Sequence, residues 1–64
     1  MENRIRELRK AAGLRQEDLA RLLGVTRQTI NAIENDKYDP TLGPAMRLAR
    51  LLGAPVEGLF HLPE

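Results

Sequence analysis

In the stretch GVTRQTINAIEN, Gly24 to Asn35, three side chains stand out by type and spacing: Arg27, Gln28 and Asn31. Asn31 follows Gln28 by three positions and Arg27 by four, which on a helix gathers all three on one side. Ile30 and Ile33 then fall on the other side. Such a set has two readings. One is an ordinary solvated helix face. The other is a surface shaped to read base edges in a DNA groove, where guanidinium matches the O6/N7 pair of guanine and carboxamide matches N6/N7 of adenine.

The rest of the chain must hold that helix in place. Glycine and proline divide the sequence into short helical units, and nothing reads as a strand. A first helix is predicted over about residues 3–12, with Ile5, Leu8 and Ala12 as its apolar stripe, Asn3 as its cap and Gly13 as its stop. A second covers about 16–23, with Leu19, Ala20, Leu22 and Leu23 apolar and Glu17 and Asp18 in the first turn, complementing the helix dipole. Thr26 caps the third, which ends near residue 35. A fourth, capped by Thr41, runs to about 52 and carries Leu42, Ala45, Met46, Ala49 and Leu52, with Gly43 and Pro44 in its first turn. A fifth starts near Pro55 and holds Val56, Leu59 and Phe60.

Between the second and third helices, Gly24, Val25 and Thr26 form a turn too short for antiparallel packing. Gly24 can adopt positive φ, Val25 can fill the angle between the helices, and Ala20 is small where they approach. This is the geometry of a helix-turn-helix, whose second helix enters the major groove.

The segment GLRQEDLARLLGVTRQTINAIENDKYDP resembles the helix-turn-helix of Cro/C1-type (XRE) regulators. The match rests on Gln16, Glu17, Leu19, Ala20, Gly24, Val25, Thr26, Ile30, Ile33, Glu34 and Asn35, and RIRELRKAAGL, TLGPAMRLARLLG and VEGLF extend it over nearly the whole chain. The resemblance implies an all-α, five-helix, lambda-repressor-like DNA-binding domain over residues 1–64, with the helix-turn-helix at about 16–35. It implies base contacts by Arg27, Gln28, Asn31 and Ala32, the last offering its methyl to thymine. It implies phosphate contacts by Gln16, Thr26, Asn35 and Lys37, with Arg15 and Tyr38 as further candidates. Arg9 and Glu34 are implied as a structural ion pair beside the DNA face. Two positions depart from the family's habit. Arg15 stands where Thr or Ser usually caps the second helix, a loss worth roughly 0.5–2 kcal/mol. Asp36 stands where Gly is common, putting a negative charge beside Lys37.

Composition narrows the alternatives. The 64 residues contain no Cys and one His, so neither disulfides nor a convincing metal site is expected, and no cofactor is implied. Net charge is only +1, but residues 1–37 hold eight of the ten Lys and Arg against six of the nine Asp and Glu, a mild basic bias toward the predicted DNA-binding half. No apolar run approaches the roughly 20 residues of a membrane span and no signal peptide is visible, so a cytoplasmic, nucleoid-associated protein is expected. Catalysis is not expected: there is no glycine-rich phosphate loop and no carboxylate pair at a defined spacing.

The segment 54–64 is apolar beyond what finishing a small core requires, and Val56, Leu59, Phe60 and Leu62 are candidates for a homodimer interface. A dimer sets two recognition helices about one DNA turn apart on a palindromic operator. The expected function is therefore a sequence-specific transcriptional regulator, a repressor, binding double-stranded DNA. Two rivals remain: an antitoxin whose C-terminal surface binds a protein partner, and a protein-interaction module that kept the fold without the DNA.

Overall fold

The structure, a computed structural model, describes residues 1–62. Within them the helices are α1 (Ile5–Ala11), α2 (Gln16–Leu23), α3 (Arg27–Glu34), α4 (Leu42–Leu52) and α5 (Val56–Leu59). What turns α2 into α3 is Gly24, at φ +82° in the left-handed region. Its N–H and that of Val25 both return to the Ala20 carbonyl, at 2.8 and 3.0 Å, closing α2 and freeing the chain to change direction. Val25 then packs half-buried against the core, and the small, buried Ala20 lets the helices meet.

The core is drawn from every helix. Ile5, Leu19, Leu23, Ile30, Ile33, Leu48 and Leu59 are its fully buried large side chains, and Ala20, Ala45, Ala49 and Phe60 complete it. Each such aliphatic side chain contributes about 1.5–3 kcal/mol of transfer free energy, which is how so short a chain folds without disulfides.

Four expectations need correction. The chain does contain strands: β1 (Glu2–Asn3) and β2 (Phe60–His61) pair antiparallel, Glu2 opposite His61 and Asn3 opposite Phe60. Two residues per strand show no alternation to read, and the pairing joins opposite ends of the sequence. Helix α1 accordingly begins at Ile5, and Asn3 serves it from the strand by accepting the Ile5 N–H at 3.1 Å. In α4 the buried face is Ala45, Leu48 and Ala49, whereas Leu42 and Met46 are 69% and 53% exposed. That helix is apolar almost all round, so periodicity alone does not choose its inner face. Leu22 and Ala12, also expected inside, are exposed.

Candidate nucleic-acid interface

Helix α3 is held at both ends. At its start the Thr26 hydroxyl accepts the Thr29 N–H at 3.2 Å and lies 3.1 Å from the Thr29 hydroxyl. At its end the N–H groups of Asp36 and Lys37 return to the carbonyls of Ile33 and Ala32, at 3.1 and 2.9 Å. This closure needs a left-handed residue, and Asp36 adopts φ +60° there, a conformation that glycine takes more cheaply. Asn3 supports it, donating through Nδ2 to the Ile33 carbonyl at 2.8 Å and to Asp36 Oδ1 at 3.1 Å. The strand pairing thus reaches the end of α3 through Asn3.

Ile30 and Ile33 anchor α3 in the core, which leaves Arg27, Gln28 and Asn31 exposed together. Arg27 borders a shallow hollow with Arg9, Leu14, Arg15, Gln16 and Glu17, and it has no ion pair among the described residues. Gln28 and the half-buried Ala32 border a second hollow with Val25, Thr26, Thr29 and the half-exposed Tyr38. Lys37 is exposed just beyond the helix.

Behind this face lies a charged centre. The Glu34 side chain is fully buried and accepts from Arg9 Nε at 2.6 Å and Arg9 Nη2 at 3.2 Å. Gln16 Nε2 donates to it at 3.1 Å and Arg6 Nε at 3.3 Å. Burial alone pushes the Glu34 carboxyl up, but hydrogen bonds from Arg9 and Gln16, the Arg9 charge and the Arg6 hydrogen bond together hold it below the ordinary carboxylate value. Arg9 also donates through Nη1 to the Leu14 carbonyl at 2.9 Å, so it ties α1, the α1–α2 turn and α3 together.

Several expected phosphate contacts carry internal bonds. The Gln16 amide hydrogens go to Glu34 and to Asn31 Oδ1, the latter at 3.2 Å, so what α2 leaves open are N–H groups of its first turn. Asn35 donates through Nδ2 to the Asn31 carbonyl at 2.8 Å and to Asn31 Oδ1 at 3.1 Å, and its Oδ1 accepts from Arg6 Nη2 at 2.9 Å. Arg6 was absent from the expected set, although its position three residues before Arg9 on one helix face was the available signal. Arg15 pairs with Glu17 at 2.8 Å and with Asp18 at 3.1 Å. The missing Thr or Ser cap is offset from the other side, because Asp18 Oδ2 accepts the Arg15 N–H at 2.8 Å. That carboxyl is held at about 2 by hydrogen bonds from the Arg15 side chain and backbone, with smaller contributions from the charges of Arg15 and Arg21.

The expected dimer segment divides. Leu59 is fully buried and offers no surface to a second chain, whereas Phe60, 8% exposed, packs in the core and keeps an edge on the hollow described next. Their alternation with polar neighbours is hidden by the helix-to-strand change between them. Val56 is half-buried and Leu62 is 72% exposed. With Met1, Pro40, Leu42 and Ala45 they border an open apolar hollow of about 650 Å³, which shares no residue with the polar face of α3. Among the described residues no helix is long and apolar enough to cross a membrane, and no three acidic or His side chains gather to hold a metal ion.

A family model described as helix-turn-helix matches residues 5–59. The chain is 48% identical over 60 residues to an uncharacterized HTH-type transcriptional regulator of Methanocaldococcus jannaschii, covering 94% of this chain and 91% of that one. It is 52% identical over 65 residues to another from Methanothermobacter thermautotrophicus, covering 100% and 94%. Among solved structures, the restriction-modification controller protein C.AhdI from Aeromonas hydrophila superimposes with a TM-score of 0.78 at 38% identity, covering 89% of this chain and 83% of that one. A hypothetical transcription factor, NHTF from Neisseria, gives 0.78 at 30% identity, covering 92% and 68%.

Proposed function

The chain belongs to the Cro/C1-type helix-turn-helix family of transcriptional regulators, and from that premise we propose a cytoplasmic repressor that binds a palindromic operator as a homodimer. The observation that carries the reading is α3 itself: apolar anchors fix one face in the core, both ends are closed, and Arg27, Gln28 and Asn31 stand exposed on the other. A rigid helix bearing a free guanidinium and two carboxamides suits base readout in the major groove. Lys37, the Thr26 hydroxyl and the N–H groups that open α2 supply backbone contacts on either side, with Tyr38 beside them. Ala32 is the methyl available to a thymine. Arg9 and Glu34 keep α3 at its angle to α1 and touch no base.

The second copy docks on the apolar hollow of Leu42, Val56 and Leu62, with Met46 beside it on α4. An antitoxin-like protein contact on the same surface is the competing use of it, and the oligomeric state in solution separates the two. Nothing in this assignment requires catalysis or a cofactor.

The experiment is binding selection from a random duplex library at near-physiological salt, with Arg27→Ala/Gln28→Ala as control. The expected result is an enriched inverted repeat that disappears in the variant. Weak, salt-sensitive binding with no enriched sequence refutes specific readout and moves the assignment to a protein partner.

A further inference from the structure

We propose that Asn31 meets DNA as a hydrogen-bond donor only, and therefore selects guanine and rejects adenine at the base pair it reaches. This deepens the DNA-reading assignment above and rests on it. Taken alone, an Asn on a recognition helix suits adenine, donating to N7 and accepting from N6–H. Here the oxygen needed for that second bond is already occupied.

The orientation of each amide follows from neighbours with no choice of role. The Glu34 carboxylate only accepts, so the atom of Gln16 bonded to it at 3.1 Å is the amide nitrogen. The second hydrogen of that nitrogen reaches Asn31, 3.2 Å away, and calls for an oxygen there. On the other side, the Arg6 guanidinium only donates, which makes its partner at 2.9 Å the Asn35 oxygen. The Asn35 nitrogen then donates to the Asn31 main-chain carbonyl at 2.8 Å and to the Asn31 side chain at 3.1 Å. Both neighbours thus present N–H to the same atom. Asn31 Oδ1 accepts twice, which fills both its lone pairs, and Nδ2 is left with two hydrogens and no partner among the described residues.

Turning the Asn31 amide over would set its NH2 against two other NH2 groups and forfeit two hydrogen bonds, disfavouring that state on the order of 30-fold. In the groove, guanine offers two acceptors, O6 and N7, to the two free hydrogens. Adenine offers N7 beside an N6 donor that finds no acceptor, and cytosine offers a donor alone. Gln16 and Asn35 are in this way positioning residues for specificity.

The test uses the intact protein and the operator from the selection experiment. Asn31→Ala first identifies the base pair whose preference it abolishes. At that position the wild-type protein is expected to favour guanine over adenine by about tenfold, and 7-deazaguanine, which lacks N7, is expected to lower affinity several-fold. Gln16→Met/Asn35→Ala releases the Asn31 oxygen, and the discrimination against adenine is expected to fall to within about twofold. Preference for adenine, thymine or cytosine by the wild-type protein, or indifference to 7-deazaguanine, overturns the proposal; both are read on unaltered protein once Asn31→Ala, a truncation at an exposed position, has located the base pair. Full discrimination retained in a folded double variant overturns the role of Gln16 and Asn35. Sequence-independent binding throughout overturns the regulator assignment as well, which distinguishes the two failures.

Discussion

Glu34→Ala removes the one carboxylate at the junction of α1, α2 and α3, and its cost follows from what is left behind. Arg9, with its side chain only 9% exposed, loses two of its three hydrogen bonds and keeps the one to the Leu14 carbonyl. A guanidinium held in that position without its counter-ion costs about 3–5 kcal/mol. Arg6, whose side chain is 48% exposed, turns to water and adds little. A domain of 64 residues is stable by roughly 3–10 kcal/mol in total, so this single change removes between a third and all of it. At about 4–8 °C per kcal/mol for a domain of this size, the thermal midpoint is expected to fall by at least about 12 °C. The assay is paired thermal and urea denaturation of the parent, Glu34→Ala, Arg9→Met, Glu34→Leu and the double variant Arg9→Met/Glu34→Leu. The double variant should be more stable than either single one, because it buries no unpaired charge. A Glu34→Ala protein within about 1 kcal/mol of the parent, or single costs that simply add in the double variant, refutes the argument and reduces the pair to an ordinary surface contact.

Three further outcomes are expected. Glu34 and Asp18 are both held below their ordinary values, so each contributes stability that is complete above about pH 4.5 and is lost as pH falls; for Asp18 the loss runs from about 3.8 down to about 2. The urea midpoint should therefore be level between pH 7 and 5 and decline below that, and Asp18→Asn should flatten the part below pH 4; an unaltered decline in the variant contradicts this. Asp36→Gly relieves the left-handed backbone at φ +60° and removes a negative charge next to Lys37, so it should tighten DNA binding roughly twofold to fivefold at low salt, with the gain vanishing at high salt. Equal affinities at low salt count against a phosphate contact at Lys37. Leu42→Glu/Leu62→Glu places charges on the exposed apolar surface and should convert a dimer to monomer by sedimentation velocity without lowering the stability of the monomer by more than about 1 kcal/mol; an unchanged sedimentation coefficient removes that surface from the interface.

The helix-turn-helix was legible because each local signal there agreed with the next: Glu17 and Asp18 at the start of α2, Gly24 at the bend, Thr26 as cap, and Ile30 and Ile33 three apart. The strands were not, since β1 and β2 draw two residues each from opposite ends of the chain and register only in three dimensions. The inner face of α4 was ambiguous for a different reason. With Leu42, Ala45, Met46, Leu48, Ala49, Leu51 and Leu52 all apolar, only the tertiary neighbours decide that Leu48 goes in and Met46 stays out. Leu59 goes inside by the same logic, because a short helix breaking into a strand has no period to follow, while Phe60 keeps only an edge at the apolar hollow. The types and spacing of Arg27, Gln28, Asn31 and Gln16 mark a polar face, but not which of their atoms are already spent on one another.

That last gap bears on how readout and stability are linked. Glu34 and Asn31 lie three residues apart on α3, and one amide nitrogen, Nε2 of Gln16, donates to both. Asn35 closes the circuit from the other side, linking Asn31 to Arg6 of α1, which itself reaches Glu34. The carboxylate that fixes the angle of α3 is therefore joined through a single shared amide nitrogen to the side chain proposed to present a donor to the groove. A change at Arg9 or Glu34 that leaves the protein folded should loosen Gln16 and let Asn31 turn, so it relaxes base preference before it weakens phosphate-driven affinity. Comparing the guanine-to-adenine ratio with non-specific affinity in Arg9→Met/Glu34→Leu separates the two: a lowered ratio at constant non-specific binding is the signature of this linkage, and an unchanged ratio shows that Asn35 alone suffices to hold Asn31.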